Sequence, residues 1–498
     1  VPTGSSGRYE RPRMTAETPI SASGPSTADT SGIVLVADLD GTLCRTDTLH
    51  EAVLALVTQN PAALLSLPGW LAEGRAALKA RVMDESVLDP ATLPLNPDVV
   101  ATLEAARGEG RRTVLVSASD ARQVAAVAAA TGLFDEAHGS SAGENLKGPA
   151  KAAFLTDRFG EKGFDYIGDA AADLPVWAAA REAITVAASP GLRRAATAAN
   201  PRTTHMSPPA GRAGALMRAM RPHQWSKNVL VFLPMLAAHD LGNILVVVLT
   251  FLAFCLTASA VYVINDLLDL GADRAHPRKR ARPFAAGDLS ALDGVGLAAG
   301  LLLAALVLTA LTATPGVFAV LGIYFVATLA YSAWLKRKLI LDILLLAGLY
   351  TIRIVAGGVA ASVPLSPWLL GFSMFIFLAL AAVKRQTELA DQMKTERYGS
   401  GRAYEVEDLP VIRSIAIGAG QAAILVLALY LTSDAVSALY DTPVLLWGIV
   451  PLLLYWVLRM IMKTHRGLMD DDPIVYAATD RVSLLILIAC ACFVVAAA

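Results

Sequence analysis

Four cysteines in 498 residues are too few and too scattered for a disulfide framework. Cys44 lies in a stretch of mixed polarity, whereas Cys255, Cys490 and Cys492 sit in apolar runs, so packing in a reducing compartment or a bilayer is their reading. Net charge is equally scarce. With 42 Lys+Arg against 43 Asp+Glu the chain carries −1 at pH 7, which excludes bulk attraction to nucleic acid or acidic lipid. Histidine is sparse too, 7 in all, and His276 beside Pro277 reads as structural rather than catalytic. No cleavable signal peptide is visible. Residues 1–30 are rich in Ser, Thr, Gly and Pro and are expected to lack structure, with VPTGSSG as an appended tag and Met14 as the natural start.

What the chain has in abundance is apolar sequence, unevenly spread. Hydrophobic residues make up 55%. Residues 31–206 mix charges with short apolar runs, as a soluble α/β domain does; 207–228 read as a linker and interfacial segment; 229–498 hold recurring apolar segments of membrane-spanning length. Nine spans are expected, near 229–239, 243–264, 291–312, 315–334, 340–361, 366–383, 411–433, 442–462 and 482–498. Their connections alternate in charge: HDLG, LTATPG, ASVPLSP and TSDAVSALYDTP lack Lys and Arg, while the intervening loops carry nearly all the basic residues. Positive loops stay in the cytoplasm, which places the soluble domain and the loop after residue 264 on that side of a bacterial plasma membrane.

That loop is the most informative stretch. Residues 265–283 read NDLLDLGADRAHPRKRARP. On a helix, Asn265, Asp269 and Asp273 would share one face, with Asp266 about a quarter-turn away. Carboxylates so close repel one another unless a cation joins them, and hard oxygen ligands suit Mg²⁺ shared with substrate phosphates. A second hairpin carries YSAWLK, with Tyr331 and Lys336, followed by Asp342 and Arg353. Arg353, near mid-span, calls for a buried partner or a bound anion. Lys227 and Asn228, at the mouth of the first span, are further candidates for substrate contact.

The ND-x-x-D-x-x-x-D motif, Arg282-Pro283 and YSAWLK with Asp342 resemble the UbiA-type intramembrane prenyltransferases over about 215–498. RPHQWSKNVLVFLP at 221–234 and LYTIRIVAGG at 349–358 are most similar to the decaprenyl-phosphate phosphoribosyltransferase branch. Where aromatic-type members carry a second D-x-x-x-D, this chain has Asp342 but Leu346, which weakens the case for a prenyl diphosphate substrate. The resemblance implies a polyprenyl chain entering from the bilayer. It also implies Mg²⁺ held by Asn265, Asp266, Asp269 and Asp273, with Lys279, Arg282 and Lys336 on the departing diphosphate.

In the soluble half IVLVA reads as a buried strand ending in Asp38-Leu39-Asp40-Gly41-Thr42, a second strand ends at Ser117, and FDYI leads into Gly168-Asp169 with Asp173 beyond. This ordered set is similar to the haloacid dehalogenase-type phosphohydrolases. The resemblance implies Asp38 as nucleophile, Asp40 as general acid and base, Ser117 with Lys151 or Lys147 on the phosphoryl oxygens, and Mg²⁺ among Asp38, Asp40, Asp169 and Asp173. Residues 44–95 would form a cap. The expected fold is multidomain: an α/β, Rossmann-like haloacid dehalogenase domain with a small helical cap, plus an all-α polytopic membrane bundle.

The two resemblances together imply a bifunctional enzyme. It would move 5-phosphoribose from phosphoribosyl diphosphate to polyprenyl phosphate, then remove the 5-phosphate, using one Mg²⁺ per active site with two open for the membrane site. Homo-oligomerisation stays open. The alternatives are prenyl transfer to an aromatic acceptor beside an unrelated or regulatory phosphatase, and a non-enzymatic transporter or lipid-binding scaffold.

Overall fold

The computed structural model describes residues 32–498 except 87, 142–144, 207–210, 396–402 and 470–471; the expectations for residues 1–30 lie outside the described residues. Six strands form one parallel sheet in the order β3-β2-β1-β4-β5-β6, with β1 Val34–Ala37, β2 Thr113–Asp120, β3 Glu136–Ser140, β4 Phe164–Gly168, β5 Ala183–Thr185 and β6 Thr203–His205. Side chains alternate across it. Leu35, Ala37, Leu115 and Ile167 enter one core, and Val34, Val36, Val114, Val116 and Tyr166 the other, so both faces of the central strands are covered and β1 reads as a continuous apolar run.

Register places the chemistry. Ala37 pairs with Leu115 on one side and with Ile167 on the other. Asp38, Ser117 and Asp169 therefore emerge together at the carboxyl edge, where the order switches around β1 and open α/β sheets bind ligands. Three helices, α1 (Thr48–Gln59), Leu67–Ala72 and Arg75–Glu85, follow in the expected cap segment.

Among the described residues seven helices are long and apolar enough to cross a membrane: Ile244–Leu268, Ala291–Leu311, Pro315–Ala333, Leu341–Ala361, Pro367–Met393, Val406–Leu431 and Pro443–His465. An eighth arises if Pro473–Thr479 and Arg481–Ala497, bent by 76°, act as one. The expected count of nine is corrected at its first member. Segment 229–239 is no spanning α-helix: a 3₁₀ stretch, Pro222–Phe232, runs into a short helix, Leu233–Ala237. It lies antiparallel to Ile244–Leu268, from Arg221 on Asp266, through Trp225 on Ser259 and Asn228 on Cys255, to Phe232 on Phe251. Eleven residues at about 2.0 Å rise cover about 22 Å, so a 3₁₀ strand of this length reaches far along its neighbour.

The sixth span is longer than expected. Its helix runs Pro367–Thr395, past the expected end at 383, because no glycine or proline interrupts KRQTELADQMK.

Candidate active sites

At the carboxyl edge of the sheet, one oxygen from each of Asp38, Asp169 and Asp173 lies within 4.8 Å of the others. Lys151 Nζ is 3.0 Å from Asp38 and 3.8 Å from Asp173, and it donates to Tyr166 Oη at 2.8 Å. That hydroxyl donates in turn to Asp173 Oδ1 at 3.0 Å. One lysine does not balance three acids. Burial, opposed by the Lys151 charge, lifts Asp38 to about 6. Burial and the charges of Asp38 and Asp173 lift Asp169 to about 8. A crowded, buried, all-oxygen set with a deficit of positive charge fits a hard divalent cation such as Mg²⁺.

Of the two candidate lysines, Lys151 is buried beside Asp38, while Lys147 is exposed. Asp40, expected among the metal ligands, falls outside that group. Its carboxylate accepts from Thr48 N (2.7 Å) and Oγ1 (2.6 Å), from Ser119 Oγ (2.6 Å) and from Ser117 Oγ (3.4 Å). Three hydroxyls and one backbone N–H thus hold the Asp40 carboxylate in place. Gly41, at φ +72°, makes the loop possible, since a Cβ there would sit 2.2 Å from an Asp169 oxygen.

The membrane motif is arranged differently from the expected single helix face. The helix ends at Asp269, and a short helix, Leu270–Ala275, follows. Asp266 and Asp273, each 2% exposed, converge on one guanidinium: Arg282 Nη1 is 3.1 Å from the first and 2.6 Å from the second. Arg221 grips both oxygens of Asp266 at 2.5 and 2.6 Å, and Lys279 stands 3.9 Å from Asp273. Asp269 instead faces Lys336 at 3.2 Å. The break at Asp269 turns that carboxylate away, so Asp266 is the partner of Asp273. Asn265 contributes its backbone carbonyl to Asp269 N. The donor chemistry suits Mg²⁺, and two of the acids already share one cation.

Deeper in the bundle Arg353, 7% exposed, donates to Asn228 Oδ1 (2.7 Å), to Tyr324 Oη (3.0 Å) and to the Leu349 carbonyl. These partners are neutral. The rings of Tyr324 and Tyr350 lie 4.8 and 5.5 Å from its guanidinium carbon. Lys227 is paired with Asp472 and stands 6.0 Å from the Tyr350 ring. Asp342 accepts from Tyr331 Oη at 2.9 Å and forms an ion pair with Arg385 at 2.8 Å, with Asp342 and Arg385 almost wholly buried. It is committed to an ion pair rather than open to a second metal cluster.

The profile of the UbiA prenyltransferase family matches residues 229–479, half of the chain, and that of the haloacid dehalogenase-like hydrolases matches 35–177. This chain belongs to the UbiA prenyltransferase family. It carries a haloacid dehalogenase-like domain ahead of the membrane bundle. An uncharacterized protein of Sinorhizobium fredii, y4nM, is 38% identical over 91% of this chain and 88% of its own length. The decaprenyl-phosphate phosphoribosyltransferase of Mycolicibacterium smegmatis is 41% identical over 37% of this chain and 63% of its own. A UbiA homolog from Archaeoglobus fulgidus bound to GPP and Mg²⁺ superposes with TM-score 0.40, 14% identity, 56% of this chain and 99% of that one. The protein is thus a multi-pass UbiA-type enzyme related to decaprenyl-phosphate phosphoribosyltransferases.

Sequence reasoning missed several members of these sites. Arg385 lies beyond the expected end of the sixth span at 383, and the unbroken helical run past that point is the signal for it. Asp472 lay in an acid triplet, 470–472, inside an otherwise basic loop. Arg221 lies in the expected linker and interfacial segment, 207–228, and opens the RPHQWSKNVLVFLP stretch.

Proposed function

We propose that the membrane half transfers 5-phosphoribose from phosphoribosyl diphosphate to polyprenyl phosphate, decaprenyl-like in class. The haloacid dehalogenase-like half then removes the 5-phosphate to give polyprenyl phosphoryl ribose. The observation that carries the first step is the meeting of Asp266 and Asp273 on Arg282, with Arg221 and Lys279 also on these acids and Lys336 on Asp269. Such a mouth can take a diphosphate together with a metal. The relatives' printed activity supplies the substrate class.

In this reading the bond from the ribose anomeric carbon to diphosphate breaks, and the diphosphate leaves with the electron pair. An oxygen of polyprenyl phosphate forms the new bond to that carbon. The acceptor is anionic already, so no general base is needed. Arg282 and Lys336 stabilise the charge gathering on the leaving group, and Arg353 meets a phosphate deeper in the bundle. Mg²⁺ held by Asp266 and Asp273 would supply further neutralisation there.

For the second step Asp38 attacks the 5-phosphate to form an aspartyl-phosphate, and Asp40 protonates the departing ribose oxygen. Asp40 then takes a proton from the water that frees phosphate. Ser117 and Lys151 hold the phosphoryl oxygens, and Mg²⁺ among Asp38, Asp169 and Asp173 would offset their charge. Both sites lie at one end of the bundle, and the charge of the connecting loops favours the cytoplasmic side for that end. Prenyl transfer to an aromatic acceptor is disfavoured by the commitment of Asp342 to Arg385.

Purified protein given labelled phosphoribosyl diphosphate, farnesyl diphosphate and polyprenyl phosphate tests the reading. Label should pass from the first to the third. Transfer from farnesyl diphosphate alone contradicts it.

A further inference from the structure

The two sites are tied together by a contact that neither reaction uses. Thr48, which donates twice to Asp40, opens α1. One turn along α1, Glu51 accepts from both terminal nitrogens of Arg274, at 2.7 and 3.0 Å. The side chains of Arg274 and Glu51 are 6% and 3% exposed. Arg274 directly follows Asp273 in the chain, and its Nε donates to the Ala285 carbonyl at 3.2 Å.

The surrounding contact is built rather than incidental. Thr58 at the far end of α1 donates to the Leu268 carbonyl at 3.2 Å, and Leu54 packs into the apolar cluster of Val263, Leu267, Leu270 and Phe284. Arg45, in the loop leading to α1, donates to the Ala286 carbonyl at 3.3 Å and lies 3.5 Å from Asp288. Gly287, at φ +73°, lets the chains close: a Cβ there would fall 2.8 Å from Arg45 Cβ and 3.1 Å from Pro94. Domains on a linker ordinarily meet through polar, mobile surfaces. A buried, bidentate pair between them is costly unless its geometry is held.

We propose that Glu51 and Arg274 are positioning residues, each acting across the domain boundary. Through the rigid first turn of α1 the pair sets Thr48, and with it the Asp40 carboxylate. Through the short helix after Asp269 it sets Asp273. Each active site is then fully formed only when the other domain is docked. The inference rests on Asp40 as the phosphatase acid, which is the reading above.

The test uses the full chain in lipid nanodiscs, with para-nitrophenyl phosphate as a soluble phosphomonoester and Asp40→Asn as control. Glu51→Gln combined with Arg274→Met leaves no lone buried charge, so it keeps the fold while removing the tie. Its kcat for the phosphomonoester should drop about tenfold with KM within about twofold, the split expected of a lost orienting contact. The swapped pair, Glu51→Arg with Arg274→Glu, should recover most of that loss. Wild-type kcat in the neutral double variant, with Asp40→Asn inactive, overturns the coupling and spares the acid assignment. A swap no better than the neutral pair also overturns it. Wild-type turnover by Asp40→Asn overturns the acid assignment and the inference with it.

Discussion

The two acidic clusters of this chain solve opposite electrostatic problems. In the phosphatase domain three carboxylates face one lysine, and burial with the charge of neighbouring acids raises the affinity of Asp38 and Asp169 for protons. In the membrane domain Asp266, Asp269 and Asp273 are matched by Arg221, Lys279, Arg282 and Lys336. The first has a standing need for a cation. The second has four cations for three acids, and in the proposed reaction an arriving diphosphate with its metal would have to redistribute the contacts already made. Carboxylate spacing alone does not distinguish the two; the cations folded in from elsewhere do.

The comparison breaks most sharply at Asp273. Asp273→Asn should lower lipid product at least about a hundredfold, as expected when a strong stabiliser of the departing charge is lost. Full turnover in excess Mg²⁺, measured with labelled phosphoribosyl diphosphate, would leave that acid structural. Next in size is the ion pair beneath the site. Arg385→Met leaves Asp342 buried without its cation and should cost about 3–5 kcal/mol of stability, read from unfolding in detergent, while Arg385→Met with Asp342→Leu should cost much less.

A proton balance sharpens the contrast. Asp38 and Asp169, ordinarily near 3.8, stand at about 6 and about 8 in the folded domain. The metal-free fold therefore binds more protons than the unfolded chain and loses stability as pH rises from about 4 to about 8. A bound Mg²⁺ would take the place of those protons. Its rise in Tm should be larger at pH 8 than at pH 6, and an equal rise at both would refute the crowded-acid account. The smallest effect expected is at Arg353. Arg353→Met should raise KM about tenfold for one phosphorylated substrate and leave the other nearly unchanged, the mark of a single lost anion contact. Unchanged constants for both would make its neutral cradle of Asn228, Tyr324 and Leu349 purely structural.

Much of this was legible because the relevant signals are local. The strand endings before Asp38 and Asp169 follow from largely apolar runs that give way to polar residues, and parallel register does the rest; β2 runs past its expected end at Ser117 to Asp120. The membrane half announced itself through the length of its apolar runs. What escaped was non-local or conformationally rare. No periodicity reveals that 222–232 winds as a 3₁₀ stretch. The break at Asp269 exchanged the partner of Asp273, and nothing in the local sequence pairs Glu51 with a residue 223 positions away.

The most direct test of the two-step account is the lipid product of Asp40→Asn. Wild-type protein supplied with labelled phosphoribosyl diphosphate and polyprenyl phosphate should yield polyprenyl phosphoryl ribose without a 5-phosphate. The variant should accumulate the 5-phosphorylated lipid at an undiminished rate of transfer. Loss of transfer itself, or a dephosphorylated product from Asp40→Asn, would contradict the sequence of reactions proposed.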